Sequence, residues 1–165
     1  MKERVRIAIV GCGAIAHWHL DAVDRAGVPI SVAAAIDPVA EHARRIAART
    51  GATPYESLDA ALDAGGFEAA LIAVPHHRHE AIASAALRAG LHVLLEKPLA
   101  PTVDACERML DTARAAGTVF MVAEERAVLA GGVDSSSIAA RRRDRRRRDG
   151  PCRDILPRAR GLLRR

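Results

Sequence analysis

Val5-Arg6-Ile7-Ala8-Ile9-Val10-Gly11-Cys12-Gly13-Ala14-Ile15-Ala16 joins an apolar run to the start of a helical pattern through a glycine-rich turn. A strand, a tight turn and a helix in that order form the unit in which a nucleotide pyrophosphate binds. Gly11 permits the turn, Gly13 leaves no side chain where phosphates would approach, and the small Ala16 lets helix and strand pack closely. The unpaired N–H groups of the new helix, at Ala14 and Ile15, then face the ligand with the positive end of the helix dipole.

Downstream, Ser31 to Ile36 reads as a second buried strand and ends at Asp37, 21 residues beyond Ala16. Dinucleotide folds place there an acid that binds the adenosine ribose hydroxyls. Asp37 also fits the N-cap of a helix opened by Pro38, and the two roles are compatible. A carboxylate at this point favours NAD over NADP, because a ribose 2′-phosphate would meet it at close range; Arg44 and Arg45 lie further along the next helix.

From Lys2 to Ala123 short apolar runs alternate with helical stretches, the signature of repeated βα units around a parallel sheet. Strands are expected at Val5 to Val10, Ser31 to Ile36, near Thr53, Ala69 to Val74, His92 to Leu95 and Thr118 to Val122. Ala81, Ile82, Ala85, Ala86 and Ala89 repeat at helical spacing and stop at Gly90. Thr102 can cap a helix carrying Val103, Cys106, Met109, Leu110 and Ala113 before Gly117. The expected fold is α/β, a doubly wound parallel sheet of the Rossmann type.

At 165 residues the chain can bury one good core. Half of the residues are apolar and only 2% aromatic, so Ala, Val, Leu and Ile must build that core. No apolar stretch approaches a membrane span, and Met1-Lys2-Glu3-Arg4 runs directly into a strand without the apolar region of a signal peptide; the expected location is cytoplasmic. Cys12, Cys106 and Cys152 are odd in number and lack metal-type spacing, which argues against a disulfide framework, and Cys12 reads as a small loop residue. The formal charge of +5 divides sharply: residues 1–123 carry −2 and residues 124–165 carry +7.

Three further segments complete an ordered pattern: Val74-Pro75-His76-His77-Arg78-His79, Ala89-Gly90-Leu91-His92-Val93 and Glu96-Lys97-Pro98-Leu99. Together with the glycine loop and Asp37, the chain resembles the Gfo/Idh/MocA family of NAD(P)-dependent oxidoreductases over roughly residues 5 to 123. The resemblance implies a Rossmann domain that binds NAD, or less readily NADP. Its implied cofactor contacts are Gly11, Gly13, Ala14, Ile15, Asp37, Val74, Pro75, His76, His79, Glu96 and Lys97. It further implies that Lys97 points toward the reacting carbon and its hydroxyl, as the catalytic residue. Oxidising an alcohol by hydride transfer requires loss of the hydroxyl proton, and a nearby cation stabilises the developing alkoxide. Without the family pattern, Lys97 reads as a solvated lysine paired with Glu96. The family substrates are sugars, cyclitols or related polyols.

A metal reading of the histidines fares worse. His17 and His19 are two apart on a helix and do not face one another, and no cysteine joins His76 and His79. No metal is expected, and His17, Trp18 and His19 read as packing the first helix against the sheet.

The family carries a second, α+β domain that supplies most of the substrate pocket, and residues 124–165 do not resemble it. Where relatives continue with Glu-Asn and an aromatic-Pro segment, this chain has Glu124-Glu125-Arg126-Ala127-Val128-Leu129-Ala130-Gly131-Gly132. Deleting one G near codon 125 allows the segment to read ENAQYWPE through permitted codons, and Arg141 to Cys152 to read like DGAIGDVVTA. The expectation is therefore a 1–123 NAD(P)-binding domain followed by an arginine-rich, disordered 124–165 tail produced by a frameshift, without turnover by itself. A different reading makes the chain a nucleotide-sensing regulatory protein whose tail, with seven arginines between Arg141 and Arg148, binds nucleic acid. The tail has no aromatic residue for base stacking and no recognition-helix pattern, which argues against specific nucleic-acid recognition. Self-association through the exposed sheet end is expected.

Overall fold

A computed structural model describes residues 4–123. Six strands and five helices alternate along the chain: β1 (Val5–Val10), α1 (Ala14–Ala26), β2 (Ile30–Ile36), α2 (Ala40–Thr50), β3 (Thr53–Tyr55), α3 (Leu58–Ala64), β4 (Ala69–Ile72), α4 (His79–Arg88), β5 (His92–Glu96), α5 (Val103–Ala116) and β6 (Phe120–Ala123), with one 3-10 turn, His76–Arg78, before α4. The strands form a single sheet in the order β3-β2-β1-β4-β5-β6, and every pairing is parallel. Strand order reverses between β1 and β4. In open α/β sheets, ligands bind beyond the carboxyl ends of the strands at that crevice.

The period-two alternation of the inner strands sends side chains into a core on each face of the sheet. Ala8, Val10, Ala34, Ile36, Ile72 and Leu95 pack with Leu58, Ala61, Leu87 and Met109 of α3, α4 and α5. On the opposite face Ile9, Ala35 and Leu71 meet Ala16 and Leu20 of α1 and Ala43 and Ile46 of α2. The large fully buried side chains are nearly all aliphatic, as the aromatic-poor composition requires: Ile9, Ile46, Ile72, Leu87, Leu95 and Met109.

Local signals set the helix boundaries. The Ser57 hydroxyl accepts from the Ala60 amide at the start of α3, and the Thr102 hydroxyl from the Ala105 amide at the start of α5. Gly27, Gly51 and Gly117 close α1, α2 and α5 in the left-handed conformation. Several boundaries depart from the sequence expectation. Helix α2 begins at Ala40 with Val39 at its N-cap, so neither Asp37 nor Pro38 opens it. β4 ends at Ile72 instead of reaching Val74, ahead of Pro75, which has no N–H to donate to a ladder. β6 begins at Phe120, two residues later than expected, and the buried Thr118 hydroxyl finds no hydrogen-bond partner among the described residues.

Trp18 corrects the packing expected of the first helix. Its side chain is 53% exposed, and Ala16 and Leu20 fill the interface with the sheet. The expectations for residues 124–165, including tail disorder and nucleic-acid binding, lie outside the described residues.

Candidate dinucleotide site at the carboxyl edge of the sheet

Gly11 follows the last residue of β1 with φ +88°, a left-handed conformation that any side chain would strain. A Cβ there would also stand 2.4 Å from the carbonyl oxygen of Ala73, the residue after β4. The first glycine is thus required twice, by its backbone angle and by the close approach of two loops at the switch point. Gly13 differs. Its φ is −78°, and among the described residues a Cβ would meet nothing within 4 Å. Glycine is therefore not needed for folding at position 13; what its absent side chain preserves is open space in front of α1.

Among the described residues, no side chain caps α1 and its first turn contains no acidic residue, whereas α3 and α5 are capped by Ser57 and Thr102. Gly13, Ala14 and Ile15 are exposed around the start of α1. Free amides and the positive dipole end at an open glycine fit a diphosphate.

Asp37, at the end of β2, is only 8% exposed. Its Oδ2 accepts from the Cys12 amide at 2.9 Å and its Oδ1 from the Val39 amide at 2.8 Å, closing an Asx turn. His42 of α2 lies nearby, with Nδ1 3.4 Å from Oδ1. The carboxylate thus holds the glycine loop while retaining lone pairs for further acceptance. The two arginines weighed against NAD selectivity, Arg44 and Arg45, both pair with Glu41. Burial, followed by the charge of Asp37, pushes the Cys12 thiol up to about 12, so it stays protonated as a small packing group and donates to the Ile36 carbonyl at 3.5 Å.

Beyond β4, Val74 is half-buried while Pro75 and His76 are exposed. His79 is fully buried at the start of α4, edge-on to the His76 ring at 5.3 Å. Its Nε2 lies 3.0 Å from the Val74 carbonyl oxygen and its Nδ1 2.9 Å from that of Pro98. His79 therefore sits between the segment after β4 and the segment after β5, with a backbone carbonyl within hydrogen-bond distance of each ring nitrogen. Glu96 ends β5. Its Oε1 accepts from Nε2 of His19 at 2.6 Å and its Oε2 from the Lys97 amide at 3.0 Å. Lys97 itself is exposed, and its bond to Pro98 is cis.

The residues singled out from the sequence thus gather on the carboxyl ends of β1, β2, β4 and β5, and neighbouring segments touch: Gly11 on Ala73, Cys12 on Asp37, His79 on Val74 and Pro98. Sequence reasoning missed His19 as a polar link, and missed His42 beside Asp37. The spacing carried a usable signal for His19: Ala16 and Leu20 are the buried positions of α1, and residue 19 borders the same stripe. Among the described residues, no group of three or more His, Cys, Asp or Glu side chains could hold a metal ion.

The strand order and the open glycine loop define a dinucleotide-binding domain of the Rossmann class. The family model described as an oxidoreductase family with an NAD-binding Rossmann fold matches residues 5–124, and the chain belongs to this Gfo/Idh/MocA family. It is similar to an inositol 2-dehydrogenase from Leifsonia xyli subsp. xyli, 38% identical over 107 residues, a match covering 65% of this chain and 32% of that protein. Among solved structures it is similar to the WlbA dehydrogenase of Bordetella pertussis in complex with NADH and UDP-GlcNAcA, with TM-score 0.70, 31% identity, and coverage of 74% of this chain and 36% of the other. KijD10, a 3-ketoreductase from Actinomadura kijaniata in complex with NADP and TDP-benzene, superposes with TM-score 0.67 at 33% identity, over 73% and 37% of the two chains. The chain spans about a third of the length of these relatives.

Proposed function

We propose that this chain binds NAD(H) in preference to NADP(H), with the amides of Gly13, Ala14 and Ile15 on the diphosphate and Asp37 on the adenosine ribose. The observation that carries this reading is the uncapped start of α1 at an open glycine, tied through the Cys12 amide to the carboxylate of Asp37. Val74, Pro75, His76, Glu96 and Lys97 then border the nicotinamide half, and His79 contributes by holding two of those segments together. A bound nicotinamide supplies or accepts a hydride. Lys97, on the exposed turn after β5, orients the hydroxyl of a sugar, cyclitol or related polyol and stabilises its alkoxide. That substrate class rests on the kinship with an inositol 2-dehydrogenase and sugar-modifying enzymes. This domain holds the dinucleotide and supplies the lysine, and replacement of Lys97 by alanine should leave cofactor affinity within a few-fold.

The reading includes a cytoplasmic location; among the described residues no helix is long and apolar enough to cross a membrane. It gives no part to the basic tail in gripping the dinucleotide.

Fluorescence titration with NADH and NADPH tests the ribose assignment, provided that the ratio of the two affinities is read. Asp37→Ala removes the acceptor of a buried amide as well as a ribose partner, so a loosened loop weakens both nucleotides equally. Loss of the ribose contact weakens NADH selectively, by roughly tenfold, the scale of a hydrogen bond to a charged group. An unchanged NADH to NADPH ratio in Asp37→Ala removes the ribose role.

A further inference from the structure

The hydrogen bond from His19 to Glu96 joins two parts of the site that the sheet alone does not connect. His19 lies on α1, the helix whose first turn faces the open glycine, while Glu96 is the last residue of β5, next to Lys97. The contact is short, 2.6 Å, and both side chains are largely withdrawn from solvent, at 15% and 16% exposure. A carboxylate oxygen can only accept, so His19 donates. The other oxygen of the same carboxylate takes the Lys97 amide at 3.0 Å. Two hydrogen bonds in series therefore run from α1 to the backbone of Lys97. On the far side of the lysine, His79 holds the Pro98 carbonyl at 2.9 Å. The turn carrying Lys97 is thus pinned on both sides by histidines from helices on opposite faces of the sheet.

We propose that His19 is a positioning residue: through Glu96 it fixes the turn at Lys97, and it conveys to that turn the settling of α1 when a dinucleotide engages the glycine loop. The inference rests on the reading that this loop takes the diphosphate. α1 is well placed to transmit such a change, because Arg49 of α2 braces it through Asp21 at 2.7 Å and Asp24 at 2.6 Å, so a force on its first turn acts on a supported rod. His19 is also accessible to experiment where His79 is not, since the fully buried His79 is too deep to replace without disturbing the fold.

The chain contains two lysines, Lys2 and Lys97. Reductive methylation with 13C-formaldehyde keeps their charge and gives each a separate NMR signal, with Lys97→Arg assigning the peak. The expected result is that NADH moves the Lys97 signal in the unsubstituted chain, and that His19→Ala shifts that signal before any nucleotide is added and at least halves its response at saturating NADH. His19→Gln, which keeps an N–H donor near the position of Nε2, restores both. A Lys97 signal that is identical in His19→Ala and the unsubstituted chain, with and without NADH, overturns the proposal. So does failure of His19→Gln to restore a signal altered in His19→Ala, which would mark a general disturbance of α1. Saturable NADH binding that leaves Lys97 unmoved in the unsubstituted chain instead refutes the placement of the nicotinamide half beside Lys97, and no binding at all refutes the dinucleotide reading itself.

Discussion

Gly11 and Gly13 occupy the same short loop for different physical reasons, and the difference can be measured. Gly11 adopts φ +88° against the Ala73 carbonyl, so Gly11→Ala combines a left-handed backbone penalty with a contact that no real Cβ makes. The expected destabilisation exceeds about 2 kcal/mol in a denaturant titration. Gly13→Ala adds a methyl group to open space at an ordinary backbone angle and costs less than about 1 kcal/mol, the scale of a changed N-cap. The same methyl group projects where the diphosphate is placed, so Gly13→Ala should lose NADH affinity with its fold intact. A Gly13→Ala chain of normal stability and normal NADH affinity would contradict the diphosphate placement. The Asp37 carboxylate, which reads as a ligand contact, is also the acceptor for a buried loop amide, and its removal leaves that amide unpaired at about 1–3 kcal/mol. Stability and nucleotide preference must both be read in Asp37 variants.

The elements themselves were legible in the sequence because their signals are local. Apolar runs, the capping Thr102, and Gly90 and Gly117 after α4 and α5 mark elements without reference to the rest of the chain. Their order, strand then helix throughout, leaves few topologies besides the doubly wound sheet. What could not be read was the pairing of polar groups across elements. His19 and Glu96 are 77 residues apart, and His79 and Pro98 19 apart; such contacts depend on which helix lies beside which strand end. Trp18 departs from the expectation that a large apolar residue in a helix faces the core, because Ala16 and Leu20 of α1 suffice to cover Ile9 and Leu71. Between α4 and α5, Arg108 makes a two-pronged bond to Glu80, at 2.6 and 3.0 Å. This bond holds the Glu80 carboxyl below its usual range. Its contribution is therefore present above the ordinary carboxylate pKa and is lost as pH falls through the depressed value. The melting temperature of Arg108→Ala should lie slightly below that of the unsubstituted chain at neutral pH, with the gap closing on acidification. A gap that is independent of pH would show that Arg108 acts through packing alone.

For the molecule as a whole, the site is an edge property. No single element contains it; it arises because strand order reverses at β1 and β4, which brings the segments after four strands to one rim. Each segment is fastened to the next by a contact between chain-distant residues, which is why the dinucleotide reading extends beyond the glycine motif alone. The sheet terminates in β6, where Met121 is 46% exposed and no further strand pairs among the described residues. An apolar edge strand of this kind invites pairing, and the chain is expected to self-associate as its concentration rises. Sedimentation velocity that gives one unchanged monomeric species over a hundredfold concentration range would contradict that expectation.

If backbone amides at the start of α1 grip the diphosphate of a nicotinamide dinucleotide, they must respond directly to its binding. Amide-resolved 15N NMR during titration of the full chain with NADH tests that grip most directly. The Gly13, Ala14 and Ile15 amide signals are expected to move together and saturate with a single dissociation constant. Saturable NADH binding that leaves those three amides in place, or the absence of any binding by a folded chain, would contradict it.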